Sequence, residues 1–320
     1  MATMAALETV VHAMLTRSRK KLMLASALSN AVYAYLFAQK RVVMEDGGPQ
    51  ITNPLIVGRN PNVTSMSYYD QVPISQTNEF DTVEYTMSRV VGSLIISDQE
   101  QDENKGSAVI FKILEGKITA LDESIKEKFS DYLVSTGAGT DPNGLPNLIP
   151  DDPTTGSIGG INLASETQWR PSVYDFLGGL DANNIEEAFD DIMLDLTRGS
   201  EKPSVIFAGR NIFRLHRTAA RDKQQISLDA SGTAGKQMVN LGIVGTTHQG
   251  TPLIFDEKLN PNEAYFINDK YFTLHILSGV NMKVKQLTAP WNVDAIGRRI
   301  VWEGQLCSWR MHRTHGKVKN

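Results

Sequence analysis

The segment 105–136 reads KGSAVIFKILEGKITALDESIKEKFSDYLVST. Its apolar residues fall at Ile110, Leu114, Ile118, Leu121, Ile125, Phe129 and Tyr132, with Leu133 beside the last. Steps of four and three residues trace one face of an α-helix. Lys112, Glu115, Lys117, Asp122, Glu123, Lys126, Glu127 and Lys128 fill the other faces, mixed in sign, as a water-facing surface requires. No proline interrupts the run, and Gly137 and Gly139 follow it as stop signals. Gly116 inside it costs about 1 kcal/mol against alanine. From Ile110 to Leu133 the helix extends about 36 Å at ~1.5 Å per residue, against an average of about 11–12 residues for globular helices. The spacing predicts a spine on which the subunit is built.

A second unusual stretch precedes it. Residues 47–80, GGPQITNPLIVGRNPNVTSMSYYDQVPISQTNEF, are too long for an ordinary connection inside a compact domain. Glycine, proline and asparagine are scattered through them, and 55–57 and 63–69 read as short strand-like pieces. Yet Ile51, Leu55, Ile56, Val57, Met66, Tyr68, Tyr69, Val72 and Ile74 are more apolar residues than a disordered linker carries. A two-stranded excursion with no core of its own is marginal in water. Its supporting surface is therefore expected on another chain, and two arms of it would reach on the order of 50 Å at ~3.3 Å per residue.

The chain has 320 residues, of which 41% are hydrophobic and 21% charged, with a net charge of −4. That length supports a large core, and the mild acidity argues against a surface given wholly to nucleic acid. The single cysteine, Cys307, excludes an intramolecular disulfide and reads as a small core residue. Arg17, Arg19, Lys20 and Lys21 precede an apolar run over 22–38. Ser26, Ser29 and Asn30 break that run, and it falls short of the ~20 residues of a membrane span. It reads as an amphipathic helix with Leu24, Leu28 and Tyr35 inward. The basic arm before it reads either as a solvated tail or as a segment lying on a neighbouring subunit or on phosphate.

Residues 81–97 alternate as a strand, and Ser97 with Asp98 and Glu100 reads as a helix start. Residues 137–172 are turn-rich. Beyond 181 the pattern is α/β. Asn184 starts a helix with the stripe Ile185, Ala188, Phe189, Ile192, Met193 and Leu196, and 204–208 is a buried strand. A second helix spans 209–220, and 222–237 is polar. Strands follow at 241–244, 252–255, 264–267, 272–276, 283–288 and 298–311, and 312–320 reads as a basic tail.

No catalytic constellation stands out. Gly232 to Lys236 has two residues between its glycines where a phosphate loop has four, and Gln237 follows the lysine. Of His12, His216, His248, His275, His312 and His315, only the last two are close in sequence. Asp151–Asp152 and Asp190–Asp191 are adjacent acids, and adjacent residues do not face each other. The site reading is thus empty: no catalytic, cofactor-binding or metal-ligating residue, and no cofactor.

The order of pieces carries more. Residues 90–100, VVGSLIISDQE, run into the spine. Residues 144–150, GLPNLIP, then 154–161, TTGSIGGI, and Trp169–Arg170 follow it. With the helix–strand–helix of 185–220, the chain resembles the major capsid proteins of tailed bacteriophages of the Hong Kong 97 type, over nearly its whole length. The resemblance implies an α+β fold with an N-terminal arm and first helix (1–45), an extended loop (46–88), a peripheral domain with the spine helix (89–136), a loop-rich connection (137–169), an axial domain (170–265) and return strands of the peripheral domain (266–320).

It also implies a structural protein and no enzyme. Copies would form hexamers and pentamers through head-to-tail contacts and close an icosahedral shell around double-stranded DNA, with each interface above about 2,000 Å². The implied partners are copies of itself, the packaged DNA, and separate scaffold, portal and decoration proteins, with no membrane. The implied location is the virion, after the host cytoplasm. Relatives that cross-link use a lysine in the extended loop, and 47–80 has none, so no isopeptide ladder is expected. With about 20 to 40 residues before the first structured elements, a separate scaffold protein is expected rather than a fused one. Two alternatives stay open: an encapsulin-like shell with enzyme cargo, and a soluble α/β binding protein.

Overall fold

The computed structural model describes residues 13–15, 30–56, 60, 62–76, 80–97, 99, 107–137, 139–176, 179–222, 245–287, 295–309 and 314–320. In chain order, α1 (Ala31–Ala38) and β1 (Val42–Glu45) lead to a hairpin of β2 (Gln50–Ile56) and β3 (Phe80–Thr86). Then come β4 (Ser88–Ser97) and the spine α2 (Ser107–Leu133). The connection holds a one-turn α3 (Leu145–Leu148) and a small hairpin of β5 (Ser157–Ile158) and β6 (Ile161–Asn162). After β7 (Ser172–Asp175), α4 (Ile185–Leu196), β8 (Val205–Ala208) and α5 (Arg210–Asp222) comes a run of strands. These are β9 (Gly245–His248), β10 (Thr251–Phe255), β11 (Glu263–Ile267), β12 (Phe272–Leu277), β13 (Lys283–Leu287), β14 (Ala295–Ser308) and β15 (His315–Lys319).

Two sheets carry the mass. In the first, β14 is the long central strand. β4 covers one of its edges from Ala295 to Gly304, while β13 and β12 share the other in succession, and β1 extends β12 in parallel. The spine lies on β4. Gly92 makes that approach possible, because a Cβ there would stand 3.0 Å from methyl carbons of Leu121 and Ile125. Phe129 is the focus, with its ring 4.8 Å from Trp302 of β14 and 6.3 Å from Tyr33 of α1, both edge to face.

The second sheet runs β7-β15-β11-β8-β10-β9. Its centre, Val-Ile-Phe-Ala in β8, is apolar throughout because both faces are covered. Ile206 and Ala208 meet α4 and α5, where Ile185, Phe189, Ile192, Leu196 and Ile212 are buried. Val205 and Phe207 face the core shared with the spine and the first sheet. Tyr35 of α1 packs edge to face on Phe207 at 5.7 Å.

Several sequence expectations change. α1 buries Val32, Tyr33, Ala34, Tyr35 and Leu36 in succession, so this part of the expected amphipathic helix is enclosed on all sides. Its N-terminus is held by Asn30, whose Oδ1 accepts from Val32 N at 2.9 Å, and by Asp256, whose Oδ2 accepts from Ala31 N at 3.2 Å. Leu24 and Leu28 lie outside the described residues, as do 223–244 with the expected strand at 241–244. Ser97 is the last residue of β4, and Gln99 just beyond it is already helical. No strand occurs among the described residues of 62–76.

The expected basic tail is the largest correction. β15 is an inner strand of the second sheet, antiparallel to β11 and parallel to β7. Lys317 is 1% exposed there. Its ammonium group meets Asp151 and, at 2.8 Å, Glu263, which also accepts from Tyr265 Oη at 2.5 Å. That charge pairing is what lets a basic residue sit inside. The segment 266–320 therefore feeds both sheets.

Candidate assembly surface

The β2–β3 hairpin has a held base and a bare tip. At the base, Ile51, Val83, Tyr85 and Met87 are buried within this chain. The pad beneath them is the β5–β6 hairpin, and Glu84 N donates to Gly159 O at 2.9 Å. Gly159 has φ +58°, and a Cβ there would stand 2.4 Å from Val83 Cγ1, so only glycine fits. Trp169 and Arg170 pin the pad. Trp169 Nε1 donates to Ile158 O at 3.0 Å, and Arg170 Nε donates to Leu163 O at 2.7 Å. Tyr85 Oη donates to Ser308 O at 2.8 Å, and burial raises its pKa. The surface expected wholly on another chain is thus supplied here for the base.

Among the described residues the tip has no such pad. Val63 is 84% exposed, Tyr68 and Tyr69 fully so, and Ile74 96%. Val72 and Phe80 are also exposed. What order the tip has comes from polar contacts. Asn62 Nδ2 donates to Ser75 O at 2.8 Å, Ser75 Oγ donates to Asn62 Oδ1 at 2.6 Å, and Ser67 N donates to Asp70 Oδ2 at 2.7 Å. An apolar group of this size left in water marks a contact surface.

Beside the base lies an open cleft of about 520 Å³. Among its buried side chains is Gln305, whose Nε2 donates to Thr86 O at 2.8 Å and whose Oε1 accepts from Asn143 N at 2.7 Å. Those contacts fasten the connection to β14 and leave the amide no free chemistry.

Among the described residues no group of three or more His, Cys, Asp or Glu could hold a metal ion. No helix among them is long and apolar enough to cross a membrane. Cys307 is buried, and burial pushes its thiol pKa up. Of the adjacent acids, Asp151 meets Lys317 while Asp152 accepts from Thr154 in its own turn. Asp190 meets His248, and Asp191 accepts from Tyr174 Oη at 3.4 Å. His12, His312 and 232–236 lie outside the described residues.

The structure joins two histidines that 32 positions kept apart. His216 Nε2 is 3.3 Å from His248 Nδ1, and His248 Nε2 is 2.9 Å from Asp190 Oδ1. Phe189 stacks on His216. Burial is the main force lowering both histidine pKa values, that of His216 to about 4. The pair is a packed, neutral element between α4, α5 and β9. Two surface stripes on those helices follow from spacing alone: arginines at 210, 214 and 217 on one helical face, and Leu194 standing off the buried stripe of α4.

Similar architecture is found in solved capsid structures. The capsid asymmetric unit of cyanophage A-1(L) superposes over 88% of this chain and 90% of its own, with TM-score 0.66 at 14% identity. This chain carries the Hong Kong 97-type capsid fold. The capsid of a native GTA particle matches that fold over 89% of each chain, with TM-score 0.53 and 13% identity. The capsid of Myoviridae phage XM1 matches over 89% of this chain and 92% of its own, at 0.50 and 11%. No protein-family model and no curated protein sequence matches the chain. The capsid fold is therefore legible in the shape of the chain and not in a match of its sequence.

Proposed function

We propose that this chain is a major capsid protein whose copies assemble through hexamers and pentamers into an icosahedral shell around double-stranded DNA. The observation that carries this reading is the bare apolar tip of a hairpin whose base is fixed, on a chain with the capsid fold. Burying a side chain such as Ile74 is worth about 1.5–3 kcal/mol, and within one copy nothing described covers the tip. A neighbouring copy supplies that cover. In this reading 46–88 reaches over the next subunit, 1–45 interlocks with it, 170–265 lies toward the ring centre, and 89–136 with return strands forms the periphery.

The shell would be the virion wall, assembled in the host cytoplasm with a separate scaffold, a portal and a decoration protein. The net charge of −4 suits a wall that packed DNA should not stick to. The loop lacks the lysine of cross-linked shells, so boiled, reduced particles should run as single chains on a gel.

Electron microscopy of the overexpressed protein, alone and from phage lysate, tests the proposal. Rings or closed shells support it, and nucleic acid within the lysate particles separates a virion from a cargo compartment. A well-ordered monomer at high concentration, with 60–76 folded onto its own body, overturns it.

A further inference from the structure

The outer faces of α4 and α5 differ in a way their buried faces do not require. On α4, Glu187, Asp191, Leu194 and Asp195 are all exposed, at spacings that place them on one side of the helix. Leu194 is 70% exposed, an aliphatic knob ringed by carboxylates. On α5, Arg210, Arg214 and Arg217 are exposed and line an open groove of about 370 Å³. Phe213 and Phe255 form its floor, with ring centroids 5.7 Å apart. Among the described residues no carboxylate pairs with the three arginines. Among the described residues the exposed α4 acids meet only neutral hydroxyl donors: Asp191 accepts from Tyr174 Oη, and Asp195 from Ser172 Oγ.

Both helices lie on the same side of the second sheet, packed against each other. One copy thus presents an acidic knob and a basic cup as separate patches of one layer. Two unlike patches on one molecule make a heterologous contact, which closes into a ring when the rotation permits. An apolar anchor in a pocket rimmed by opposite charge is also the pattern of an energetic centre in an interface.

We propose that Leu194 of one copy seats on Phe213 and Phe255 of the next, with Glu187, Asp191 and Asp195 facing Arg210, Arg214 and Arg217. This rests on the shell reading and identifies a contact that would close its rings. A stripe serving phosphate alone would need neither an aromatic floor nor an acidic counterpart on the same chain.

The test compares purified chains by sedimentation and negative-stain microscopy. Arg214→Glu with Arg217→Glu should cut assembled mass at least tenfold, with circular dichroism and Tm of the unassembled chain unchanged. Glu187→Arg with Asp191→Arg should do the same, and Leu194→Ser should weaken assembly without altering the fold. Joining both charge reversals in one chain should restore rings, because every copy then meets a reversed partner. Arginine variants that assemble like the unmodified chain overturn the inference. So does normal assembly with loss of bound DNA, which would assign the stripe to phosphate. An unmodified chain that forms neither rings nor shells would instead sink the shell reading.

Discussion

The base and the tip of the β2–β3 hairpin are similar in composition and opposite in surroundings. Val83 and Tyr85 are 1% and 3% exposed, while Ile74 and Tyr69, on the same excursion, are 96% and 99% exposed. The base is secured by this chain's own pad at β5–β6 and by β14. The tip is held by an asparagine, two serines and an aspartate. In the proposed shell, stability of the single copy and the capacity to join others lie at opposite ends of one element, and each should be open to disturbance without the other.

Breaking the base should have the largest effect. Tyr85→Ala removes a ring packed edge to face on Trp309 at 5.7 Å and leaves Ser308 O without its donor. It should cost the unassembled chain about 3–5 kcal/mol, read as a fall in the urea midpoint with an unchanged slope. Gly159→Ala drives a methyl into Val83 at a left-handed backbone position. It should cost about 1–3 kcal/mol and raise protease cleavage in 46–88.

Acid provides a control away from the hairpin. The pKa of His216 is about 4 in the fold against 6.5 unfolded, so its contribution is complete above 6.5 and declines as pH falls toward 4. His248 shifts in the same direction, and Asp190 and Glu186 beside the pair oppose the shift. Lowering pH from 7.5 to 5 should cost on the order of 1–2 kcal/mol through His216, with the base of the hairpin still protected in hydrogen exchange. Early loss of that protection would show that the two regions are coupled. The tip should matter least to the single copy. Tyr68→Ser, Tyr69→Ser and Ile74→Ser should each move its stability by less than about 0.5 kcal/mol, while the triple variant yields no shells under conditions where the unmodified chain does.

What could be read from the sequence was what local periodicity controls. The spine is visible because Ile118, Ile125, Phe129 and Tyr132 recur on one face and are buried there. β8 is visible as an apolar run because both of its faces are covered. The features that were missed depend on distant partners. α1 is enclosed because Asp256 and Phe207, more than 170 positions away, meet it. Lys317 reads as part of a tail until Asp151 and Glu263 are placed beside it. The pad under the hairpin base carries a visible motif, 154–161 with Trp169 and Arg170, but nothing in its own pattern tells that Val83 and Tyr85 rest on it. For the assembly surface, the loop's excess of apolar residues was legible, and which half of it this chain covers was not.

The placement of β15 bears on the order in which the protein comes into being. β7 pairs with β15, and β11 keeps one edge bare until β15 fills it. A chain still on the ribosome, with 315–319 inside the exit tunnel, cannot complete that sheet or set α4 and α5 firmly upon it. Immature polypeptides would therefore lack a finished docking face, and lattice growth would recruit only molecules whose translation has passed that point.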